Sequence, residues 1–440
     1  MNVLAIDVGT SSTKTAILDE QCNIITASSA GYDFHYHSDN RVELDAEEII
    51  SAIVKSIQAL TFSLAGIDLI VFDTFSPSLT FMNDDGDVLC PVITHLDRRS
   101  KKQTQNILTT IGKDRFQAIT GIQPFTGGAS VTSLLWMLEN NPELIGQCTK
   151  IGHLPTLLYK RFTGLWATDP VNASMTGLYE TITQSGWSKE LCDDLGIPMN
   201  LLPEIKPVGI IEKGLCREFA LRAGLRAGIP VALGSNDAAV AHIGAGNTSS
   251  GCVMNTAGSS DIISVLSDIP RFDDRYYLRN ACIPGLWQIF AITAGGFALD
   301  WCREQFYRDM TPTAFYEDEL RQAVALCGED MPVQFEPYLA GDRQSLTLKW
   351  ATFSGLTLNT SRRDMLAALL MGMQRPLKEV MSLCEAFLEM KDTIKATGGM
   401  LSKPMVALKE NVFSGYHFEK YDDCPLLGSA IIGLQESRHL

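Results

Sequence analysis

No two of the eleven cysteines form a C-x-x-C pair, and their number is odd. In a chain of 440 residues that argues against a disulfide framework and for reduced, mostly buried thiols of a cytoplasmic protein. Positive charge is scarce: Lys plus Arg number 36 against 51 for Asp plus Glu, a formal net charge of −15. The averaged field repels nucleic acid and anionic lipid, so neither partner is expected, and an anionic ligand must be held by local backbone donors or a metal ion. Long apolar runs are also missing. The most apolar stretch, Ile49 to Phe72, is broken by Lys55 and Asp68 and falls short of the roughly 20 residues of a membrane span. Met1 to Ile6 lacks a basic region before its apolar residues, and Asp7 follows at once, so no secretion signal is expected.

Several nucleotide and nucleophile motifs are absent as well. The chain has no Walker A pattern and no G-x-S-x-G elbow, and Ser249 stands where a dinucleotide fingerprint starting at Gly244 needs its third glycine. P-loop, Rossmann and serine-hydrolase chemistry are thereby disfavoured. His35 and His37 share one face of a strand, yet no third ligand follows at metal-like spacing, which argues against a structural zinc site. Taken alone, His95, His153 and His242 read as satisfied structural residues.

What is present is 45% hydrophobic and 20% charged, the composition of a folded globular chain long enough for two or three domains. Apolar runs at Val3 to Ile6, Thr15 to Leu18 and Ile24 to Ala27, separated by polar turns, predict strands. Asp45 and Glu48 mark a helix start, and Ile49, Ile53, Val54, Ile57 and Leu60 keep the spacing of one buried helical face. Leu69 to Phe72 predicts another strand, residues 100–230 read mostly as helix, and 229–234 reads as a buried strand entering a helix. The segment 244–251 is the best linker candidate. Beyond it a strand, small-residue turn and strand recur at Cys252 to Asn255 and Ile262 to Leu266. That echo predicts two similarly built domains, 1–244 and 245–440.

Four places could carry chemistry. The turn Asp-Val-Gly-Thr-Ser-Ser-Thr-Lys (7–14) offers backbone donors, hydroxyls and a lysine to phosphate oxygens, with Asp7 able to hold a hydrated Mg²⁺. It reads equally as a hairpin with good turn residues. Gly258, Ser259 and Ser260 form a second small-residue turn, a phosphate clamp only if the domains face one another. Asp237, after a buried strand and before an Ala-rich helix, either accepts a proton from an attacking hydroxyl or caps the helix. Ala-Thr-Gly-Gly-Met (396–400) could let a flat base lie against bare backbone, or be a plain turn.

In order along the chain, these pieces resemble the FGGY carbohydrate kinases of the actin, hexokinase and Hsp70 ATPase superfamily. The likeness rests on 7–14, Arg-Val-Glu-Leu-Asp (41–45), Asp-Thr-Phe-Ser-Pro-Ser (73–78), Asp-Asp-Gly (84–86) and Thr-His-Leu-Asp-Arg-Arg (94–99). It continues through 168–179, Gly-Ser-Asn-Asp (234–237), 258–260, Ala-Gly-Gly-Phe-Ala-Leu-Asp-Trp (294–301), Pro-Tyr-Leu-Ala-Gly-Asp-Arg (337–343) and Ala-Thr-Gly-Gly (396–399). The resemblance implies an α/β fold of two RNase H-like, actin-like ATPase domains around a central cleft. It implies ATP and Mg²⁺ as cofactors, with Asp237 as general base and Asp7 positioning the metal through water. Gly9, Thr10, Ser11, Ser12, Lys14, Gly258 and Ser259 would surround phosphate, and Gly295, Gly296, Gly398 and Gly399 would line the adenosine pocket. Asp73, Ser76, Ser78, His95 and Asp97 would contact the sugar.

Several positions depart from the family pattern: His95 for a frequent Trp, Pro77 and Ser78 for Met and His, Met175 for Arg, and Met400 for a third glycine. These bear on which sugar is used more than on the reaction. A pentulose or similar ketose is expected, with a glycerol or polyol kinase, or a sugar- and nucleotide-responsive binding protein on the same scaffold, as alternatives. The resemblance also carries a homodimer as an expectation.

Overall fold

Both faces of the opening strand are covered, which is why it reads as an unbroken apolar run. In β1 (Val3–Val8), Leu4 and Ile6 join the core beneath the helix Ala46–Gln58, with its Ile49, Ile53 and Ile57. Val3 and Ala5 point the other way, onto Leu426, Ala430 and Leu434 of the helix Cys424–Ser437. The helix at 46–58 begins where the sequence predicts, with Asp45 accepting from the Glu47 N–H at 2.7 Å.

The computed structural model describes residues 1–339, 341, 342, 346 and 349–438. Ala340 and Arg343 of the 337–343 segment lie outside the described residues. β1 pairs antiparallel with β2 (Ser12–Leu18), which pairs antiparallel with β3 (Ile24–Gly31). On its other side β1 runs parallel to β4 (Leu69–Thr74), which is followed by Pro230–Val231, also parallel. The second sheet repeats this connectivity. β5 (Val253–Ala257) pairs antiparallel with β6 (Ser260–Ser267), and β6 lies between β5 and a further antiparallel strand. That sheet holds β7 (Tyr277–Asn280), β8 (Trp287–Ala294), β9 (Thr393–Thr397) and β10 (His417–Lys420). β8 pairs with both β6 and β7, while β9 runs parallel to β5 and β10 parallel to β9. Three antiparallel strands followed by two parallel ones recur in both sheets, the second carrying β7 as an additional antiparallel strand at its edge, and are the two RNase H-like domains expected of an actin-like ATPase fold, with a cleft between them.

Two local expectations differ from what forms. The 229–234 strand is regular only at Pro230–Val231 and pairs with β4 again at Ser235–Asn236; between them the chain passes so close to β4 that a Cβ at Gly234 would lie 2.4 Å from Phe72. The 244–251 segment is a tight joint rather than a loose linker. Gly251 has φ +81° and a Cβ there would meet the Glu389 carbonyl at 2.0 Å, while the Asn247 amide donates to the Val253 carbonyl at 2.9 Å. Among the described residues no helix is long and apolar enough to cross a membrane.

The helix Cys424–Ser437 comes last in the chain yet packs on the first sheet. It also crosses the helix Asp237–Gly244 through glycines. A Cβ at Gly244 would sit 2.0 Å from the Cys424 carbonyl, and one at Gly428 would sit 2.0 Å from the Val240 carbonyl. Gly428→Ala is therefore expected to cost about 1–3 kcal/mol by overpacking a backbone contact that cannot retreat. Chemical denaturation measures this, and an unchanged midpoint would show that the helices separate freely.

Candidate active site

The ends of three parallel strands bring three carboxylates together. Asp7 and Asp73 are Cα partners in the β1–β4 ladder, and Ser235 is the partner of Asp73, which sets Asp237 two residues further on. Ligands in open α/β sheets gather at such carboxyl ends. Asn236 takes over the helix cap, its side chain accepting from the Ala239 N–H at 3.1 Å, so Asp237 is free of that duty. The Asp237 carboxylate accepts from the Ala238 N–H at 2.6 Å, is also held by the Asn236 side chain, and keeps part of its surface open. Burial, followed by the charge of Asp7, pushes Asp237 up to about 7, against the pull of the Ala238 N–H and Arg279. Burial likewise raises Asp7 to about 6, opposed by Asp73 and Lys14. Burial and the adjacent Asp7 push Asp73 well above the ordinary carboxyl range.

The two small-residue turns stand on equivalent hairpins. In the first, the Gly9 N–H donates to the Ser12 carbonyl at 3.0 Å, and Thr10 and Ser11 are exposed at the tip. Tyr32 pins this turn: its hydroxyl donates to the Gly9 carbonyl at 2.5 Å and its N–H to the Ser11 carbonyl at 3.1 Å. Lys14 extends to an ion pair with Asp423. Around the second turn the Gly258 N–H donates to the Ser260 carbonyl, and the Gly296 N–H to the Gly258 carbonyl, both at 2.9 Å. A Cβ at Gly295 would lie 2.5 Å from Ser260, and one at Gly398, where φ is +113°, would lie 2.3 Å from the Ala257 carbonyl. Met400 donates from its N–H to that same carbonyl at 3.0 Å. Gly258, Gly295, Gly296 and Gly398 thus converge on one bend, whereas Gly258 and Gly399 themselves face open space. Beside Ala294 and Phe297 opens a cavity of about 440 Å³, which Lys113 and Gln123 line from the first half of the chain.

The model of the N-terminal domain of the FGGY family of carbohydrate kinases matches residues 2–244, more than half of the chain. This chain belongs to that family. It is 25% identical to the gluconokinase of Bacillus subtilis (strain 168), over 98% of this chain and 87% of that protein. It is 25% identical to the xylulose kinase of Lactococcus lactis subsp. lactis (strain IL1403), over 94% and 83% of the two. The ligand-bound xylulose kinase of Lactobacillus acidophilus shares the fold, with a TM-score of 0.89 over 100% of this chain and 90% of that one at 23% identity. The protein is a carbohydrate kinase, a transferase of phosphoryl groups to an alcohol.

The sugar-side candidates of this FGGY kinase divide into two sets. Ser76 and His95 keep partial exposure, and the His95 ring sits edge-on to Phe34 and Phe75. Asp73, Ser78 and Asp97, expected beside them, are sealed. Asp73 accepts from the Ser429 hydroxyl at 2.8 Å. Ser78 donates to the Phe75 carbonyl and accepts from the Leu154 N–H, both at 3.1 Å. Asp97 accepts from the Val42 N–H at 2.9 Å and from the Arg99 guanidinium, which also holds Glu43. All three side chains are fully buried and tie neighbouring segments together through these hydrogen bonds. Sequence reading missed what holds Ser76. Its hydroxyl donates to Asn172, whose amide donates to Asp169 at 2.6 Å, and Asp169 also caps the helix Pro170–Thr176. The 168–179 motif lay in view, but its link to Ser76 spans 96 positions.

A metal would find few direct ligands. Among the described residues no three His, Cys, Asp or Glu side chains are grouped to hold one. The Asp7–Asp73 pair nevertheless fits Mg²⁺, which keeps most of its waters and needs one or two carboxylates. Asp73 Oδ1 is sealed with no N–H or hydroxyl donor, and the two carboxyls lie within hydrogen-bond reach of each other, an arrangement that calls for a shared proton or a cation.

Proposed function

We propose that this kinase transfers the terminal phosphoryl group of ATP to a hydroxyl of a small sugar, a pentulose or similar ketose, with Asp237 as general base. The observation that carries the reading is the position of Asp237: released from capping by Asn236, partly open, and raised to about 7 among carboxylates at the strand ends. A base poised near neutrality takes a hydroxyl proton most effectively. Asp237 accepts that proton as the sugar oxygen bonds to the terminal phosphorus and the bridging oxygen leaves, with its electron pair, on ADP. Mg²⁺, when bound, neutralises phosphate charge, and Asp7 would hold it through water with Asp73 behind.

Gly9, Thr10, Ser11, Ser12 and Lys14 form the phosphate cradle of the first domain, and Gly258 and Ser259 that of the second. Gly295, Gly296, Gly398 and Gly399 leave bare backbone for the adenosine. Ser76 and His95 meet the sugar, with Ser78 and Asp97 fixing their loops. The division falls at residue 244, the last helix returning to the first domain by its packing. The names of the relatives make xylulose and gluconate the first acceptors to try in a coupled ADP-release assay.

The same carboxyl sets the pH dependence. Asp237 is competent only when deprotonated, so kcat/KM is expected to rise with pH up to about 7 and level off above it. A profile flat throughout the acidic range would remove Asp237 from the role.

A further inference from the structure

Arg279 lies on β7 of the second sheet and is 3% exposed. Its guanidinium stacks over the Phe290 ring, 4.5 Å from the centroid, and its Nε donates to Gln288 Oε1 at 2.8 Å. Gln288 in turn donates from Nε2 to the Ala238 carbonyl at 3.3 Å. The arginine is therefore tied, through one side chain, to the first turn of the helix that starts at Asp237.

Among the described residues the Nε contact is the only hydrogen bond of this guanidinium, although the group carries five donors. Its terminal amino groups donate to no atom of the described residues, and they are not among the sealed polar atoms that lack a partner. Asp237 is the carboxylate that acts most strongly on Arg279, ahead of Asp169. Burial lowers the arginine only to about 10, so it stays charged at neutral pH. Keeping such a cation buried with most of its donors idle is costly unless a ligand takes them. A planar fork of N–H groups matches the oxygens of a phosphoryl group better than a sugar hydroxyl does.

We propose that Arg279 is a further catalytic residue: its terminal amino groups hold the negatively charged oxygens of the phosphoryl group as it passes to the acceptor beside Asp237. The inference rests on the phosphoryl-transfer reading above and adds the second domain's contribution to the reacting centre. Arg279 forms no covalent bond. The bond made is acceptor oxygen to phosphorus, the bond broken is phosphorus to the bridging oxygen, and the proton goes to Asp237.

The experiment compares the wild-type protein with Arg279→Gln, Arg279→Lys and Arg279→Gly by ADP release, using a neutral ketose and an aldonate as acceptors. Melting temperature and ADP binding are measured on each variant. Arg279→Gln is expected to lose about 10²–10³-fold in kcat with every acceptor that the wild type uses, while KM changes little. Arg279→Lys is expected to retain part of the activity, and added guanidinium to restore part of it to Arg279→Gly. Unchanged kcat in Arg279→Gln overturns the proposal. So does a loss without guanidinium rescue that follows a fall in melting temperature, which makes the residue structural. A loss confined to the aldonate, appearing in KM, also overturns it and makes Arg279 an acceptor-binding group. Wild-type protein that releases ADP with no acceptor at all would instead bring down the kinase reading itself.

Discussion

Asp237→Asn is expected to lower kcat by about 10²–10⁴-fold, the contribution of a positioned general base. The substitution keeps size and shape while removing the only proton acceptor on that side chain. It should leave the helix intact, because the cap is made by Asn236, whose side chain accepts from the Ala239 N–H at 3.1 Å. Nucleotide affinity should persist, since the glycines around Ala257 and the turn at 9–12, proposed above to hold the nucleotide, are untouched. Steady-state ADP release with a sugar acceptor, paired with an ADP titration, separates the two effects. Full activity in the variant would mean that another group takes the proton. Weakened ADP binding with kcat retained would place Asp237 on the nucleotide side.

The second large effect is expected in the second domain, at Lys409→Met. Lys409 and Asp261 are both fully buried and ion-paired, Nζ to Oδ2 at 2.5 Å. Gln374 donates to the same oxygen at 3.1 Å and Asn255 to the other at 2.7 Å. Removing the lysine leaves a buried carboxylate without its counter-charge, which costs about 3–5 kcal/mol. Asp261 directly follows the turn at 258–260, so the variant should also raise KM for ATP if it folds. Adding Asp261→Asn removes the stranded charge and should return part of the stability, a coupling that a double-mutant cycle in denaturant reads directly. Two variants whose losses simply add would show that the pair acts independently.

The residues whose roles were legible beforehand are those whose signals are short in range. The β1–β2 hairpin follows from apolar runs flanking Gly9 to Ser11, and the helix at 46–58 from Asp45 and the spacing of Ile49, Ile53 and Ile57. Asp237 could be singled out because a carboxylate between a buried strand and a helix has few uses. The same reasoning could not separate Asp237 from a cap, since both readings need an Asp at a helix start. The adjacent Asn236 makes the cap, through a hydrogen bond that only folded geometry reveals, which leaves Asp237 available for the base role proposed above. Asp73, Ser78 and Asp97 had the right chemistry for a sugar, but whether a polar side chain faces a ligand or supports a loop depends on partners such as Ser429, Leu154 and Arg99.

By itself the sequence determined that this chain folds as two strand-turn-strand domains with small-residue bends, carries a candidate base at residue 237, and has no surplus of positive charge. Those properties depend on neighbours within a few positions, where periodicity and turn chemistry act. Only the tertiary structure decided that Lys14 pairs with Asp423 across 409 positions, that the last helix returns to the first sheet, and that Arg279 reaches the start of the 237–244 helix through Gln288. Such contacts depend on which apolar faces find each other during collapse, and that choice has no fixed spacing along the chain.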